Sequence, residues 1–202
     1  MKLKVLSAGE LEELYHTELV RAFPPEELKP LSSMLRMMEQ DRYQVLGMMD
    51  EEGLHGYALF WLEPGIPFAL LDYFGTVEGQ RNSGLGTRML SLLADFYKDY
   101  RGIFGEAEAV TSSDPEEAHL QARRLEFYRR NGLRYAGYDC ALFGVHFRTL
   151  ILDKGDNAPE DILAAHQRIY RGGLPSAAYE RFIQIPLREG EAVRPAADWI
   201  EE

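Results

Sequence analysis

Apolar residues along the chain recur either at every second position or at every third and fourth, and each change of rhythm marks an element boundary. Residues 3–6 form a short apolar strand. Ser7 and Glu10 then make a capping box for a first helix, with Leu11, Leu14, Tyr15, Leu19 and Ala22 inward. Phe23-Pro24-Pro25 ends that helix, because proline has no N–H to donate and turns the preceding residue away from helical backbone. A second helix begins near Pro30 with Leu31, Met34, Leu35 and Met38 inward, a methionine stripe that reads as core. Residues 43–49 and 54–62 are strands joined by the polar turn Asp50-Glu51-Glu52-Gly53, which makes an antiparallel hairpin. After the turn Pro64-Gly65-Ile66-Pro67, residues 70–77 add a third strand. Beyond a glycine-rich segment, Leu85, Met89, Leu92, Leu93 and Phe96 share one face of a helix that leaves the meander and crosses back over the sheet.

The second half continues with a strand at 103–110 that carries Glu106 and Glu108 on one face. Asp114 as cap, Pro115 at the first helical position and Glu117 at the third open a helix through Ala118, Ala122 and Leu125 to Arg130, which Asn131-Gly132 stops. Residues 133–138 and 145–152 are two further strands. After a break at 154–159, a helix capped by Asn157 or Asp156 carries Ile162, Leu163, His166, Ile169 and Tyr170 and ends at Gly172-Gly173. Residues 179–187 read as a short helix or a strand, and the end, rich in Glu, Ala and Pro, frays. This pattern is α/β (α+β), with a domain at 1–154 and a C-terminal extension at 155–202.

Composition narrows the chemistry. With 202 residues, 46% of them hydrophobic, the chain has enough apolar mass for one core. A formal net charge of -11 argues against nucleic acid as a partner, which needs clustered Lys and Arg, and is compatible with cationic amines. No apolar run reaches the length needed to span a bilayer, and Met1-Lys2-Leu3-Lys4 leads into acidic helix rather than a signal core, so no membrane association and a cytoplasmic location are expected. Cys140 is the only cysteine, and the five histidines show no ligand spacing, so no metal is expected.

Candidate chemistry concentrates between residues 70 and 100, where strand, glycine-rich turn and helix follow one another. Such a turn brings bare backbone amides to a phosphate, although an ordinary strand-to-helix turn also favours Gly. Neither the dinucleotide pattern Gly-x-Gly-x-x-Gly nor the P-loop Lys-Ser/Thr pair is present. The pattern that is present, Arg81-x-x-Gly84-x-Gly86, resembles the pyrophosphate signature of the GCN5-related N-acetyltransferase (GNAT) superfamily. Leu125-Glu126-Phe127-Tyr128-Arg129-Arg130-Asn131-Gly132-Leu133 resembles that superfamily's second signature. The two stand in the family's order, and the resemblance covers residues 1 to about 154.

The resemblance implies a GNAT fold: a central mixed, mostly antiparallel twisted sheet of about seven strands, splayed between strands 4 and 5, flanked by helices, here with a C-terminal helical extension. It implies an N-acetyltransferase with acetyl-CoA as co-substrate, a small-molecule amine or peptide as acceptor, and direct attack in a ternary complex. Carried over, Arg81, Asn82, Ser83, Gly84, Leu85, Gly86 and Thr87 form the pyrophosphate loop, with Asn82 where many relatives place Gly, while the backbone of Phe74, Gly75, Thr76 and Val77 pairs with pantetheine. Tyr128 becomes the general acid, though a buried tyrosine also serves simply as packing. Glu106 and Glu108 are candidates for the base or the ammonium-binding group, with Asp72 as competitor. A non-catalytic acyl-CoA binding or sensing module, or an interaction domain with an empty cradle, would keep much of this pattern. The extension is open to three roles: covering the acceptor groove, building a homodimer, or patching the sheet edge.

Overall fold

The computed structural model describes residues 1–25, 27–80 and 84–195. They form eight strands, in the order β1-β2-β3-β4-β5-β7-β6-β8, with helices between them. The family resemblance implies about seven; the eighth comes from the extension. The chain divides into two compact units, one from Met1–Gly65 and Leu71–Lys98, the other from Ile66–Leu70 and residues 99–195.

In the first unit, β1 (Lys2–Val5) leads to α1 (Ala8–Leu14), where Ser7 and Glu10 make the reciprocal capping box. The helix widens into a π-helical turn over Tyr15–Leu19 before a short α2 (Val20–Ala22). The wider turn keeps Leu19, five residues beyond Leu14, on the buried side, while Ala22 beyond it is exposed rather than inward. α3 (Leu31–Glu39) buries Met34 and Met37, so the stripe is rotated toward Met37 from the expected Met38. β2 (Tyr43–Asp50) and β3 (Gly53–Trp61) form the expected hairpin, closed by the pair Asp50 and Gly53, with Gly53 at φ 117°. In β3 every residue from His55 to Trp61 is buried, so this strand is covered on both faces.

β4 (Phe68–Thr76) leads to α4 (Leu85–Phe96), which buries Met89, Leu90 and Leu93. Phe96, expected inward, is 44% exposed, and Tyr97 is buried in its place with its hydroxyl 2.6 Å from Gln44 Oε1. The reason is angular: Leu90, Leu93 and Tyr97 are three and four residues apart and lie on the stripe, whereas Phe96 follows Leu93 on the other side of it.

A buried ion pair ties this unit together. Lys29 Nζ lies 2.5 Å from Asp72 Oδ1, with side-chain exposures of 2% and 6%, over the faces of Trp61 and Tyr73. Tyr43 donates to Asp72 Oδ2, and the Tyr73 hydroxyl accepts from the Lys29 amide and donates to the Glu27 carbonyl. The segment between α2 and α3 is thereby fastened to β4.

In the second unit, β5 (Gly102–Glu108) pairs antiparallel with β7 (Val145–Leu152), and β7 with β6 (Arg134–Leu142). β6 runs past the expected Tyr138 to Leu142, so β6 and β7 are a hairpin turned at Phe143 and Gly144, both at positive φ. α5 (Pro115–Arg130) starts as expected, with Asp114 Oδ1 accepting from the amides of Glu116 and Glu117. It ends in a Schellman turn: Gly132 at φ 88°, Leu133 N–H on the Tyr128 carbonyl and Gly132 N–H on that of Arg129. Its inward stripe is Ala118, Gln121, Leu125 and Tyr128, and Ala122 is exposed.

The extension forms α6 (Pro159–Gly173), α7 (Ser176–Phe182) and β8 (Ile183–Leu187), and β8 pairs antiparallel with β6. The cap of α6 is Ala158, not Asn157 or Asp156. Asn157 is spent elsewhere, its amide donating to the Arg101 carbonyl and to Asp153, whose carboxylate also takes both arms of Arg134.

Breaking the Lys29 and Asp72 pair strands a charge away from water, so Lys29→Met and Asp72→Asn are each expected to cost about 3–5 kcal/mol, with the double variant costing less than their sum. Chemical denaturation of the three variants checks this.

Candidate active site

The expected phosphate cradle begins where β4 ends. Gly84 stands at the N-cap of α4 with φ 80°, a left-handed conformation that glycine adopts without strain, and a Cβ built there would meet nothing within 4 Å. No side chain caps this helix, and its first intrahelical bond is Arg88 N–H to the Gly84 carbonyl at 3.1 Å. Among the described residues, the amides of Leu85, Gly86 and Thr87 have no hydrogen-bond partner. They remain directed out of the positive end of a 12-residue helix. Helices α3, α6 and α7 also lack a capping side chain, but none begins at a left-handed glycine. Arg81, Asn82 and Ser83, expected in the same loop, lie outside the described residues.

At the end of β4 and one residue beyond it, the half-buried residues Phe74, Gly75, Thr76 and Val77 precede the cradle. The Val77 N–H is committed to the His55 carbonyl at 3.0 Å. Gly75 has a packing reason to be glycine, since a Cβ there would lie 2.5 Å from the Tyr57 hydroxyl oxygen. Asp72, the competing base, is engaged by Lys29 and Tyr43.

A cleft of about 340 Å³ in this unit has Leu6, Leu14, Leu54 and Val77 on its walls and Glu10, Glu13 and Glu18 among its polar residues. Glu10 is occupied: the hydrogen bond from Lys4, then those from Ser7, hold its carboxyl down at about 2. Asp50, Glu52 and His55 also meet at the β2–β3 turn. Asp50 at Nε2 and Gln80 at Nδ1 hold the His55 imidazole above its ordinary value, because the doubly protonated ring satisfies both acceptors. Two of these residues are ordinary turn residues, which is why the sequence pattern drew no attention to the group.

The second unit carries the expected acid and carboxylates. Tyr128 is held at the last turn of α5 by the Schellman closure, its ring edge-on to Phe127 at 5.3 Å. Burial of its hydroxyl pushes the phenol up to about 12, against a smaller opposing effect of Arg124. It therefore keeps its proton across the working range.

The two glutamates of β5 differ in their surroundings. Glu108 Oε2 pairs with Arg124 Nη1 at 2.8 Å, the guanidinium half exposed. The Glu106 side chain is 7% exposed, and its Oε1 accepts from His166 Nε2 at 2.8 Å and Tyr170 Oη at 3.0 Å. His166, fully buried, meets the Tyr138 hydroxyl through Nδ1 at 3.0 Å. The sequence pattern places His166 on a helix with Ile162, Leu163, Ile169 and Tyr170 and assigns it no chemistry. No local signal links it to Glu106, 60 positions earlier. Cys140 is buried, and burial pushes its thiol well up, consistent with an inert apolar role.

No family model matches this chain, and no curated protein matches it. Solved structures do. One from Bacteroides thetaiotaomicron, assigned as a GNAT-family acetyltransferase, has a TM-score of 0.69 at 20% identity, covering 87% of this chain and 100% of that one. A ribosomal-protein-alanine N-acetyltransferase from Brucella melitensis has a TM-score of 0.54 at 15% identity, covering 76% and 99%. Spermidine N-acetyltransferase from Vibrio cholerae, described as dodecameric, has 0.55 at 10% identity, covering 76% and 93%. At these identities the likeness concerns the fold, which is that of the GNAT acetyltransferases.

The two glycines differ in cause. Gly75→Ala is expected to cost about 1–3 kcal/mol by overpacking against Tyr57. Gly84→Ala should cost about 1–2 kcal/mol, from left-handed backbone alone. Urea denaturation of both variants checks the order. Because the folded Tyr128 phenol ionises near 12 and an unfolded one near 10, its contribution to stability is intact below about pH 10 and lost as the pH rises toward 12. Denaturation midpoints of wild type and Tyr128→Phe across that range check the sign.

Proposed function

We propose that this GNAT-fold chain is an N-acetyltransferase, moving the acetyl group of acetyl-CoA directly to a primary amine in a ternary complex. The observation that carries the reading is the open first turn of α4, with left-handed Gly84 at its cap and amides without partners among the described residues. Such a turn suits a diphosphate, since the N–H groups and the helix dipole both favour negative charge. In a chain of net charge -11, a polyanionic ligand depends on that local field, joined by Arg81, and binds less tightly as salt rises.

The reaction asks for two proton movements. The amine must shed protons as it attacks the thioester carbonyl carbon, and the departing thiolate must gain one. Tyr128, kept protonated by burial, is the donor to sulfur. Its phenol is a weaker acid than free tyrosine, so its main work is a hydrogen bond that strengthens as charge builds on the leaving group. Glu106 and Glu108 are the carboxylates available on the amine side. The acceptor is a primary amine of a small molecule or a peptide, classes that the names of the structural neighbours also include. No described helix is long and apolar enough to cross a membrane.

Acetyl-CoA is expected to give measurable heat in calorimetry and to raise the melting temperature. Free thiol should appear when the panel of acceptors, spermidine and an alanine-terminated peptide among them, includes a substrate. Tyr128→Phe should then lower kcat roughly 100-fold with acetyl-CoA binding retained. Wild-type kcat should show no alkaline loss from this group below about pH 11, given its phenol near 12. Binding without transfer to any amine would favour an acyl-CoA sensing module instead, and no binding would remove both readings.

A further inference from the structure

We infer that His166 and Tyr170 of α6 are positioning residues for the transfer, clamping one oxygen of Glu106 so that the other is presented to the acceptor amine. The inference rests on the reading of the chain as an N-acetyltransferase. Both donors converge on Oε1, His166 Nε2 at 2.8 Å and Tyr170 Oη at 3.0 Å, and among the described residues no donor reaches Oε2. Two bonds to one oxygen fix the plane of the carboxylate and leave the second oxygen its full capacity to accept. The clamp is itself locked. The His166 ring is fully buried, lies edge-on to Phe104 at 5.1 Å, and meets the Tyr138 hydroxyl at 3.0 Å through Nδ1.

The hydrogen bonds run in one consistent direction. In the His166 tautomer with its proton on Nε2, Tyr138 donates to Nδ1, Nε2–H donates to Glu106, and Tyr170 donates to the same oxygen. Burial raises the Tyr138 phenol far above its ordinary value, so that hydroxyl keeps its proton to donate. A base whose orientation is fixed by a further hydrogen-bonded group is the arrangement that makes proton removal efficient. Glu106 Oε2 is not among the buried side-chain atoms left without a partner, so the oxygen that the clamp leaves over stays accessible to water or to an acceptor.

The proton balance is as follows. An ammonium acceptor loses two protons in becoming an amide. One passes to Glu106 Oε2 and on to water, and the other offsets the proton that Tyr128 delivers to the thiolate and then regains. The C–S bond breaks as the C–N bond forms.

The test uses three variants in the full chain with acetyl-CoA and the amine that wild type acetylates. Tyr170→Phe removes one clamp and keeps the ring, His166→Leu removes the other, and His166→Gln restores a donor toward Glu106. Expected are a fall in kcat of about 10-fold or more in Tyr170→Phe and His166→Leu, an unchanged KM for acetyl-CoA, and recovery of most of the rate in His166→Gln. If His166→Leu does not fold, Tyr170→Phe alone decides. Folded variants with kcat within about twofold of wild type would overturn the inference and leave the acetyltransferase reading standing. Acetyl-CoA bound by wild type with no amine acetylated would overturn both.

Discussion

A charge taken out of water must bring its partner with it, and each unit of this protein is fastened on that constraint. Lys29 and Asp72 join positions 43 apart in the sequence, Glu106 and His166 positions 60 apart. Arg134 holds Asp153 by two hydrogen bonds while Asn157 braces the same carboxylate. None of these pairs adds much net stability over a well-packed apolar substitute; what they add is discrimination, since any other arrangement leaves a charge stranded.

The same accounting applied to backbone groups explains why one helix end stands out. Ser7 closes the start of α1, Asp114 closes that of α5, and a Schellman turn closes the end of α5. α4 instead begins at a left-handed glycine with its first amides open. A helix that closes its end gains stability, and one that leaves it open keeps donors for something else. Helices α3, α6 and α7 also start without a capping side chain, so what sets α4 apart is the left-handed glycine at its cap.

The extension is more than an appendage in this structure. Its β8 pairs with β6, and its α6 brings His166 and Tyr170 onto β5. The edge of β6 is thereby paired, and the free edge passes to β8, a five-residue strand that contains Pro186 and so is a poor template for further pairing. One segment thus pairs with an edge and changes the environment of a carboxylate, because α6 of the same segment carries His166 and Tyr170 to Glu106.

What the sequence by itself determined was local. Ser7 and Glu10, Asp114 and Pro115, and Asn131-Gly132 set helix ends because capping needs only neighbours within a turn, and the hairpin of β2 and β3 follows from alternation and one polar turn. Gly84 was legible for the same reason. Which member of a stripe turns inward was less so: Met37 over Met38 and Tyr97 over Phe96 depend on a rotation of the helix that only its packing sets. Tertiary structure alone decided that Asp72 is bound to Lys29, that Gly75 makes room for Tyr57, and that Glu106 and Glu108, identical in the sequence pattern, have different partners. Those outcomes turn on contacts between residues far apart along the chain, and a contact of that kind leaves no trace in the spacing of either partner.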